Sequence, residues 1–280
     1  MKINHLDLFS GIGGFHLGFE RAGFKIKSYF SEIDKHAIAV YKHKFKDATY
    51  VGSVTDVHGG DLPRIDLITF GSPCQDFSLA GKRAGMGGDR SSLILEAIRL
   101  VRECRPRVFI WENVKGAFSS NAGEDFAAIL QEFADIGGYR LEWQLLNTSW
   151  FLPQNRERIY LVGYSTTPKR GWRGVFPIAT NNQKADGNTK CGHQSAQTLT
   201  ARYFASTSQG TYIGERDKVR RLTTIECERL QGFPDQHTAF GNYDGEVKPV
   251  SNTHRYKQCG NAVTVDVVSA VAKKCIPLFK

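Results

Sequence analysis

No stretch of this chain is apolar for long enough to cross a bilayer. The opening residues Met1-Lys2-Ile3-Asn4-His5-Leu6-Asp7 also lack the hydrophobic segment of a secretion signal. The sequence therefore predicts a chain that is neither membrane-embedded nor exported. Its six cysteines, Cys74, Cys104, Cys191, Cys227, Cys259 and Cys275, contain no Cys-x-x-Cys pair, so neither a zinc site nor a disulfide framework is suggested, and a reducing cytoplasm fits best. No internal repeat or low-complexity run is present, and Gly-x-Gly-x-x-Gly does not occur at the one glycine-rich turn that follows a strand pattern. What is present is 280 residues, 41% of them hydrophobic, enough to bury a substantial core in one large domain with a smaller appendage. Lys and Arg number 37 against 28 Asp and Glu, and the resulting charge of +9 favours a polyanionic partner without identifying one.

The hydrophobic pattern alternates. Residues 5–9 read as a strand, Ser10-Gly11-Ile12-Gly13-Gly14 as a tight turn, and 15–22 as a helix closed by Gly23. A strand over 25–30, a helix from about Asp34, a strand over 65–70, a helix over 92–104, a strand over 107–111 and a helix over 124–136 continue the rhythm. In the last of these Phe126, Ile129, Leu130 and Phe133 form one helical stripe. Such repetition implies a parallel sheet with helices on both faces, to which 141–146 and 158–162 add two strands. From about Tyr164 to Val219 the rhythm breaks into Thr, Ser, Asn, Gln, Gly and basic residues with scattered aromatics, which reads as a separate small module. A final helix is expected over 261–274, with Val263, Val267, Val268 and Val271 on one stripe.

Chemistry-bearing residues collect at the carboxyl ends of these strands, where open α/β sheets bind ligands. The run 65–70 delivers Gly71-Ser72-Pro73-Cys74-Gln75, in which proline stiffens the segment carrying the Cys74 thiol; a cysteine read without that context is more often a buried apolar residue. The turn at Gly11 and Gly13 would let backbone amides approach a ligand, and Glu32 after the second strand could accept hydrogen bonds from ribose hydroxyls or serve as an ordinary loop acid. Glu112 leaves the strand 107–111 on the same rim as Cys74. A thiolate beside a carboxyl group, without an imidazole, suits addition to carbon-6 of a cytosine with the acid acting on ring nitrogen 3; a helix cap or salt-bridge acid is the plainer alternative. Gln154, Arg156 and Arg158 alternate along an extended segment, where guanidinium groups could hold a phosphate or ring carbonyl or simply face solvent.

Taken in order, Asp7-Leu8-Phe9-Ser10-Gly11-Ile12-Gly13-Gly14, Gly71-Ser72-Pro73-Cys74-Gln75, Glu112-Asn113-Val114, Gln154-x-Arg156-x-Arg158, Arg221-Leu222-Thr223 with Glu226-Cys227-x-Arg229-Leu230-Gln231-Gly232-Phe233-Pro234-Asp235, and Gln258-Cys259-Gly260-Asn261-Ala262-Val263 resemble the motifs of the DNA (cytosine-5) methyltransferases across nearly the whole chain. The resemblance implies an α/β, Rossmann-like, S-adenosylmethionine-dependent methyltransferase fold: a mixed sheet with helices on both faces plus a small target-recognition lobe. It divides the chain into a catalytic domain of residues 1–163 and 256–280 and a small lobe of residues 164–255, whose target-recognition region spans about 164–219.

In this reading Cys74 is the nucleophile, Glu112 acts on nitrogen 3, Arg158 meets the 2-keto oxygen, and Arg156 and Gln154 support the site. The cofactor S-adenosylmethionine falls to Phe9, Gly11, Ile12, Gly13, Glu32, Ile33, Ser53, Pro73, Leu93, Asn261 and Val263. Ser53 stands in Gly52-Ser53-Val54 where many relatives carry an acid, so its contribution is the weak point of that set. Double-stranded DNA is the implied partner, met by Gln75, Ser78, Lys82, Thr198 and Arg202, with the target base flipped into the pocket because its carbon-5 and carbon-6 are inaccessible in a stacked duplex. Lys169, Arg170, Arg173, Lys218 and Arg220 are candidate phosphate contacts, residues 79–90 resemble a loop that closes over DNA, and Thr198-Leu199 resembles a recurrent marker of the recognition region. A monomer without a metal is expected, in a restriction-modification or phage DNA-protection setting with a cognate restriction endonuclease as a further partner. The RNA-methylating branch and a non-catalytic DNA-binding relative remain the alternatives at this level.

Overall fold

A computed structural model describes residues 1–72, 92–119, 123–165, 172–179, 195–203, 211–215 and 218–280. Its elements run in order β1 (Lys2–Leu8), α1 (Gly14–Arg21), β2 (Lys25–Ser31), α2 (Lys35–Lys44), β3 (Thr49–Tyr50), β4 (Leu67–Gly71), α3 (Ser92–Cys104), β5 (Val108–Val114), α4 (Gly116–Ser119), α5 (Glu124–Ala134) and β6 (Arg140–Asn147). They continue with β7 (Gln154–Asn155), β8 (Glu157–Tyr164), β9 (Ala196–Gln197), β10 (Tyr212–Glu215), β11 (Lys218–Arg221), α6 (Thr224–Leu230), β12 (Phe240–Tyr243), β13 (Glu246–Pro249), α7 (Asn252–Asn261) and α8 (Val265–Cys275).

Seven strands form one sheet in the order β3-β2-β1-β4-β5-β8-β6. The first five are mutually parallel, as βα alternation requires. The parallel sheet read from periodicity covers these five strands, and the mixed character expected by resemblance arises at the far edge, where β8 runs antiparallel to both β5 and β6. Only residues 148–156 join β6 to β8, too short a link for a parallel crossover, so the chain doubles back. The sheet is therefore mixed. Because β2 lies to one side of β1 and β4 to the other, the winding reverses at β1, and the crevice beyond the carboxyl ends of β1 and β4 is the switch point where such sheets bind ligands.

Both faces of the sheet are buried. On one, Leu6, Leu8, Phe70, Phe109, Trp111 and Leu161 pack against Ile94, Ile98 and Val101 of α3 and Phe126, Ile129 and Phe133 of α5. On the other, Ile3, Leu67, Ile110, Tyr160 and Val162 meet Phe15 and Phe19 of α1 and Val267, Val268 and Val271 of α8. Each fully buried aliphatic or aromatic side chain contributes about 1.5–3 kcal/mol relative to exposure. Helix α1 approaches α8 closely enough that a Cβ on Gly18 would lie 2.4 Å from Val268. A third cluster joins Ile12, Ala37 and Val40 to Phe233, Val250, Ala262 and Val265, so residues after α6 pack directly beside the first turn.

The start of the final helix, expected at about Asn261, is corrected to Val265. Helix α7 ends at Asn261, Ala262 is extended, and α8 starts after Thr264. The break leaves the carbonyls of Gly260 and Ala262 outside a helical ladder, where the Arg156 guanidinium takes both, and lets the Val265 amide bond Gln231 O at 2.9 Å. Helix α6 and the β12–β13 hairpin carry no expectation in the periodicity reading. Among the described residues no helix is long and apolar enough to span a membrane.

Candidate active site

At the carboxyl end of β1 the chain turns sharply. Phe9, Gly11 and Gly13 all take positive φ (51°, 53° and 83°), a conformation that glycine adopts freely and that costs Phe9 about 1–3 kcal/mol. The turn is held from the next strand: Ser10 N bonds Ser31 O at 3.1 Å, and Glu32 Oε2 accepts from Gly11 N at 2.8 Å. Glu32 Oε1 accepts from the amides of Ile33 (2.8 Å) and Asp34 (3.0 Å). Of the roughly four acceptor sites on a carboxylate, three are occupied by backbone and one, on Oε2, remains. A Cβ on Gly11 would meet nothing within 4 Å, whereas one on Gly13 would strike Phe45 at 2.3 Å, so the first glycine borders open space and the second permits packing.

That open space is a cavity of about 760 Å³. Its walls are Phe9, Gly11, Ile12, Glu32, Ile33, Asp34, Ser53 and Leu93 toward the turn, and Gly71, Ser72, Glu112, Asn113, Arg156 and Arg158 toward β5 and β8, with Lys257, Gln258, Gly260 and Asn261 also lining it. Asp34 caps α2 through His36 N (2.9 Å) and pairs with Lys257 at 2.7 Å. Burial pushes its carboxyl up, but Lys257 and the helix amides outweigh it and hold the group below its ordinary value.

The β5 side is set by strand register. Arg158 lies opposite Val114, and Glu112 opposite Tyr160 and Gly71, so Glu112 and Arg158 are diagonal neighbours on one face. Arg158 Nε stands 3.2 Å from Glu112 Oε1. Glu112 is only 8% exposed. Burial raises its pKa above the ordinary value despite the opposing pull of Arg158 and Arg156. A Cβ on Gly71 would sit 3.1 Å from Glu112 Oε2, which explains a glycine at that strand end. On the other face Trp111 Nε1 and Asn113 Nδ2 donate to Ser72 Oγ at 3.1 and 3.2 Å, and Asn113 Nδ2 also to Ser72 O at 3.2 Å. These bonds pin the residue from which the chain enters Pro73 and Cys74.

Gln154 and Arg156 are placed differently from Arg158. Gln154 is fully buried, donating to Leu230 O at 2.8 Å and accepting from Leu199 N at 3.0 Å. Arg156 donates to Leu199 O (2.9 Å), Gly260 O (3.3 Å) and Ala262 O (2.9 Å). Thr198 Oγ1 bonds Asn155 O at 2.6 Å, and β7 pairs with β9. The Thr198-Leu199 pair is thereby docked on the Gln154-x-Arg156 segment.

Among the sequence-derived candidates, Phe9, Gly11, Ile12, Glu32, Ile33, Ser53, Leu93, Asn261, Glu112, Arg156 and Arg158 line one cavity. Gly13, Val263, Gln154, Thr198 and Arg202 are not among its lining residues; Val263 abuts Gly14, and Arg202 is exposed. Arg173 is exposed as well, while Arg220 forms a two-pronged bond with Glu226 at 2.9 and 3.0 Å. Pro73, Cys74, Gln75, Ser78, Lys82, the rest of the expected closing loop, Lys169 and Arg170 lie outside the described residues, as does the side chain of Lys218. Sequence reasoning gave no role to Asn113, Trp111, Lys257 or Gln258. Asn113 and Gln258 stand inside the quoted motifs, and that position was the available signal.

The profile of the C-5 cytosine-specific DNA methylases matches residues 3–184 and 165–277. The chain belongs to this family. Among its relatives, the type II methyltransferase M1.ScrFI of Lactococcus lactis subsp. cremoris is 34% identical over 100% of this chain and 79% of its own length. M.NgoBI of Neisseria gonorrhoeae is 33% identical over 98% of this chain and 93% of its own length. Solved structures share the fold: the Entamoeba histolytica methyltransferase EhMeth superposes with TM-score 0.75 at 17% identity over 100% of this chain and 99% of its own. A putative DNA modification methyltransferase encoded within an Escherichia coli prophage superposes with TM-score 0.69 at 22% identity, over 99% of each chain. The methylase is thus an enzyme that acts on cytosine carbon-5 in DNA, and the mixed sheet expected of the family is the one observed.

Proposed function

We propose that the methylase takes its methyl group from S-adenosylmethionine and adds it to a cytosine swung out of duplex DNA, through a covalent adduct with Cys74. The observation that carries this reading is buried Glu112 paired with half-buried Arg158 beside Gly71-Ser72, just before Pro73-Cys74. Burial keeps a proton on Glu112 to higher pH than an exposed glutamate would, as an acid that hydrogen-bonds nitrogen 3 requires. With Arg158 on the 2-keto oxygen, electron density displaced by sulfur addition at carbon-6 is accepted by the ring, and carbon-5 becomes nucleophilic. Loss of the carbon-5 proton then re-forms the ring double bond and releases the Cys74 thiolate.

The residues present fit the donor. Glu32 keeps one acceptor site facing a cavity with an open Gly11, as a ribose hydroxyl would need, and Phe9, Ile12, Ile33 and Leu93 supply apolar walls. Ser53, Pro73, Asn261 and Val263 complete the set by resemblance, and Gly13 contributes through the turn. When bound, the donor supplies an electrophilic methyl group; the chain orients it and excludes water.

Exposed Arg202 and Arg173, with Gln75, Ser78, Lys82 and Thr198, form the DNA-facing set. The two-part division into residues 1–163 with 256–280 and a lobe of 164–255 gives DNA its cleft. The methylase acts as a monomer in the cytoplasm of a bacterium, or of a phage-infected one, with a cognate endonuclease as its counterpart. Bisulfite sequencing of DNA from cells expressing the chain should reveal methylated cytosine in one short sequence context. Duplex DNA bearing 5-fluorocytosine in that context should form a covalent adduct only with S-adenosylmethionine present. Cys74→Ala should abolish methyl transfer while DNA binding persists. Methylation of tRNA without methylation of duplex DNA, or full activity in Cys74→Ala, would overturn the reading.

A further inference from the structure

The region where α6, α7 and β7 meet contains three buried glutamines, and the fold treats them differently. Gln154 spends its amide on Leu230 O and Leu199 N. Gln231 donates to Cys259 O at 2.8 Å and accepts from Thr264 Oγ1 at 3.0 Å. Each therefore joins two segments. Gln258, 6% exposed, has neither Oε1 nor Nε2 bonded to any group among the described residues. Its backbone carbonyl accepts from Ala262 N at 3.0 Å.

Buried polar side chains are nearly always paired, and an orphaned amide is unfavourable on both its donor and its acceptor side. Leucine or methionine would fill the same volume without that penalty. Gln258 alone of the three lines the cavity. Its neighbours there are Lys257, paired with Asp34 on the turn side, and Gly260, whose carbonyl accepts from Arg156 on the β8 side, so it stands between the two ends.

We propose that Gln258 is a ligand-positioning residue, its amide completed by a bound group that presents a hydrogen-bond donor beside an acceptor. This rests on the proposed function, in which one such group enters the cavity: the amino-acid terminus of the methyl donor, with ammonium next to carboxylate, since nitrogen 3 of the cytosine is taken by Glu112. A structural glutamine would stabilise the ligand-free chain, whereas a ligand-positioning one stabilises only the complex.

The test compares wild type, Gln258→Met and Gln258→Glu in three measurements: the thermal midpoint of the ligand-free chain, the Kd for S-adenosylhomocysteine by calorimetry, and the KM for plasmid DNA at saturating donor. Gln258→Met should leave the midpoint unchanged or higher and weaken S-adenosylhomocysteine about tenfold or more, with the KM for DNA unchanged. Loss in the DNA arm alone would overturn the assignment to the donor's amino-acid terminus. Gln258→Glu, which keeps the acceptor and loses the donor, should weaken the same ligand. A lowered midpoint with both ligand constants unchanged would make Gln258 a structural residue and overturn the inference alone. Failure of wild type itself to bind S-adenosylhomocysteine would instead overturn the cofactor reading, and this inference with it.

Discussion

The two ends of the cavity each present a carboxylate, and the chain holds them by opposite means. At the turn end Glu32 is fixed by three backbone amides from two loops, a rigid acceptor with one site to spare. At the β5 end Glu112 is sunk between strands beside Arg158, where burial outweighs the guanidinium and raises its pKa. Amides that can only donate favour a group whose task is to keep accepting hydrogen bonds. A buried site that resists ionisation favours a group whose task is to keep or exchange a proton. The same residue type thus serves binding at one end and proton chemistry at the other, and the surroundings make the difference.

The sharpest way to break this comparison is to exchange the acids for their amides. Glu112→Gln should lower the single-turnover rate by about 10²–10⁴ while leaving the S-adenosylhomocysteine Kd nearly unchanged. An equal rate loss in Glu32→Gln would show that the ends do not differ in kind. Next in size is Arg156, which ties three backbone carbonyls together at the β8 side of the cavity. Arg156→Met should leave the carbonyls of Leu199, Gly260 and Ala262 without their donor and cost about 3 kcal/mol in urea unfolding, with activity falling in proportion to the folded fraction. Arg158→Met, at a site with fewer backbone ties, should instead lose rate at nearly constant stability. Glu32→Gln should raise the donor Kd about tenfold, or about 1.4 kcal/mol, with the rate at saturating donor preserved.

A further, pH-dependent effect lies beneath the turn, in a buried network of Asp7, Thr69, Tyr41, Ser28 and His16. Asp7 Oδ1 accepts from Thr69 Oγ1 at 2.9 Å and Oδ2 from Tyr41 at 3.3 Å, yet burial outweighs both bonds and pushes its carboxyl up to about 8. A folded pKa above the unfolded one means that the native state keeps the proton longer. The stability this contributes is complete below the unfolded pKa of about 4 and is lost as pH rises through about 8. Between pH 5 and pH 7.5 wild type should therefore lose up to about 1.4 kcal/mol per pH unit more than Asp7→Asn, read from urea midpoints at each pH.

Much of the site was legible because its residues sit at strand ends, and strand ends are marked by where apolar runs stop. Glu32, Glu112 and the glycine turn were read that way, and they border one cavity. Gln154, Arg156 and Arg158 were read as one alternating set, but the fold divides them, since the first two are consumed by backbone carbonyls and amides far along the chain. No local spacing distinguishes a guanidinium that meets Leu199 and Ala262 from one that meets a ligand. The reversed strand β8 escaped periodicity for a related reason. Alternation of apolar residues reports burial, whereas direction depends on the length of the connection and on which edge is free.

Local pattern and residue identity are enough for the alternation of strands and helices from β1 through α5, the rim on which the acids emerge, and the family through its motifs. Which polar side chains are spent on the fold and which are left for a ligand is a matter of long-range packing. Gln154 and Gln258 are the same residue type, both buried and both inside recognisable motifs, yet one is fully bonded and the other is not. That difference is set by partners up to 76 residues away in the chain, and hydrogen-bond completion between distant segments is a property of packing that no short window contains.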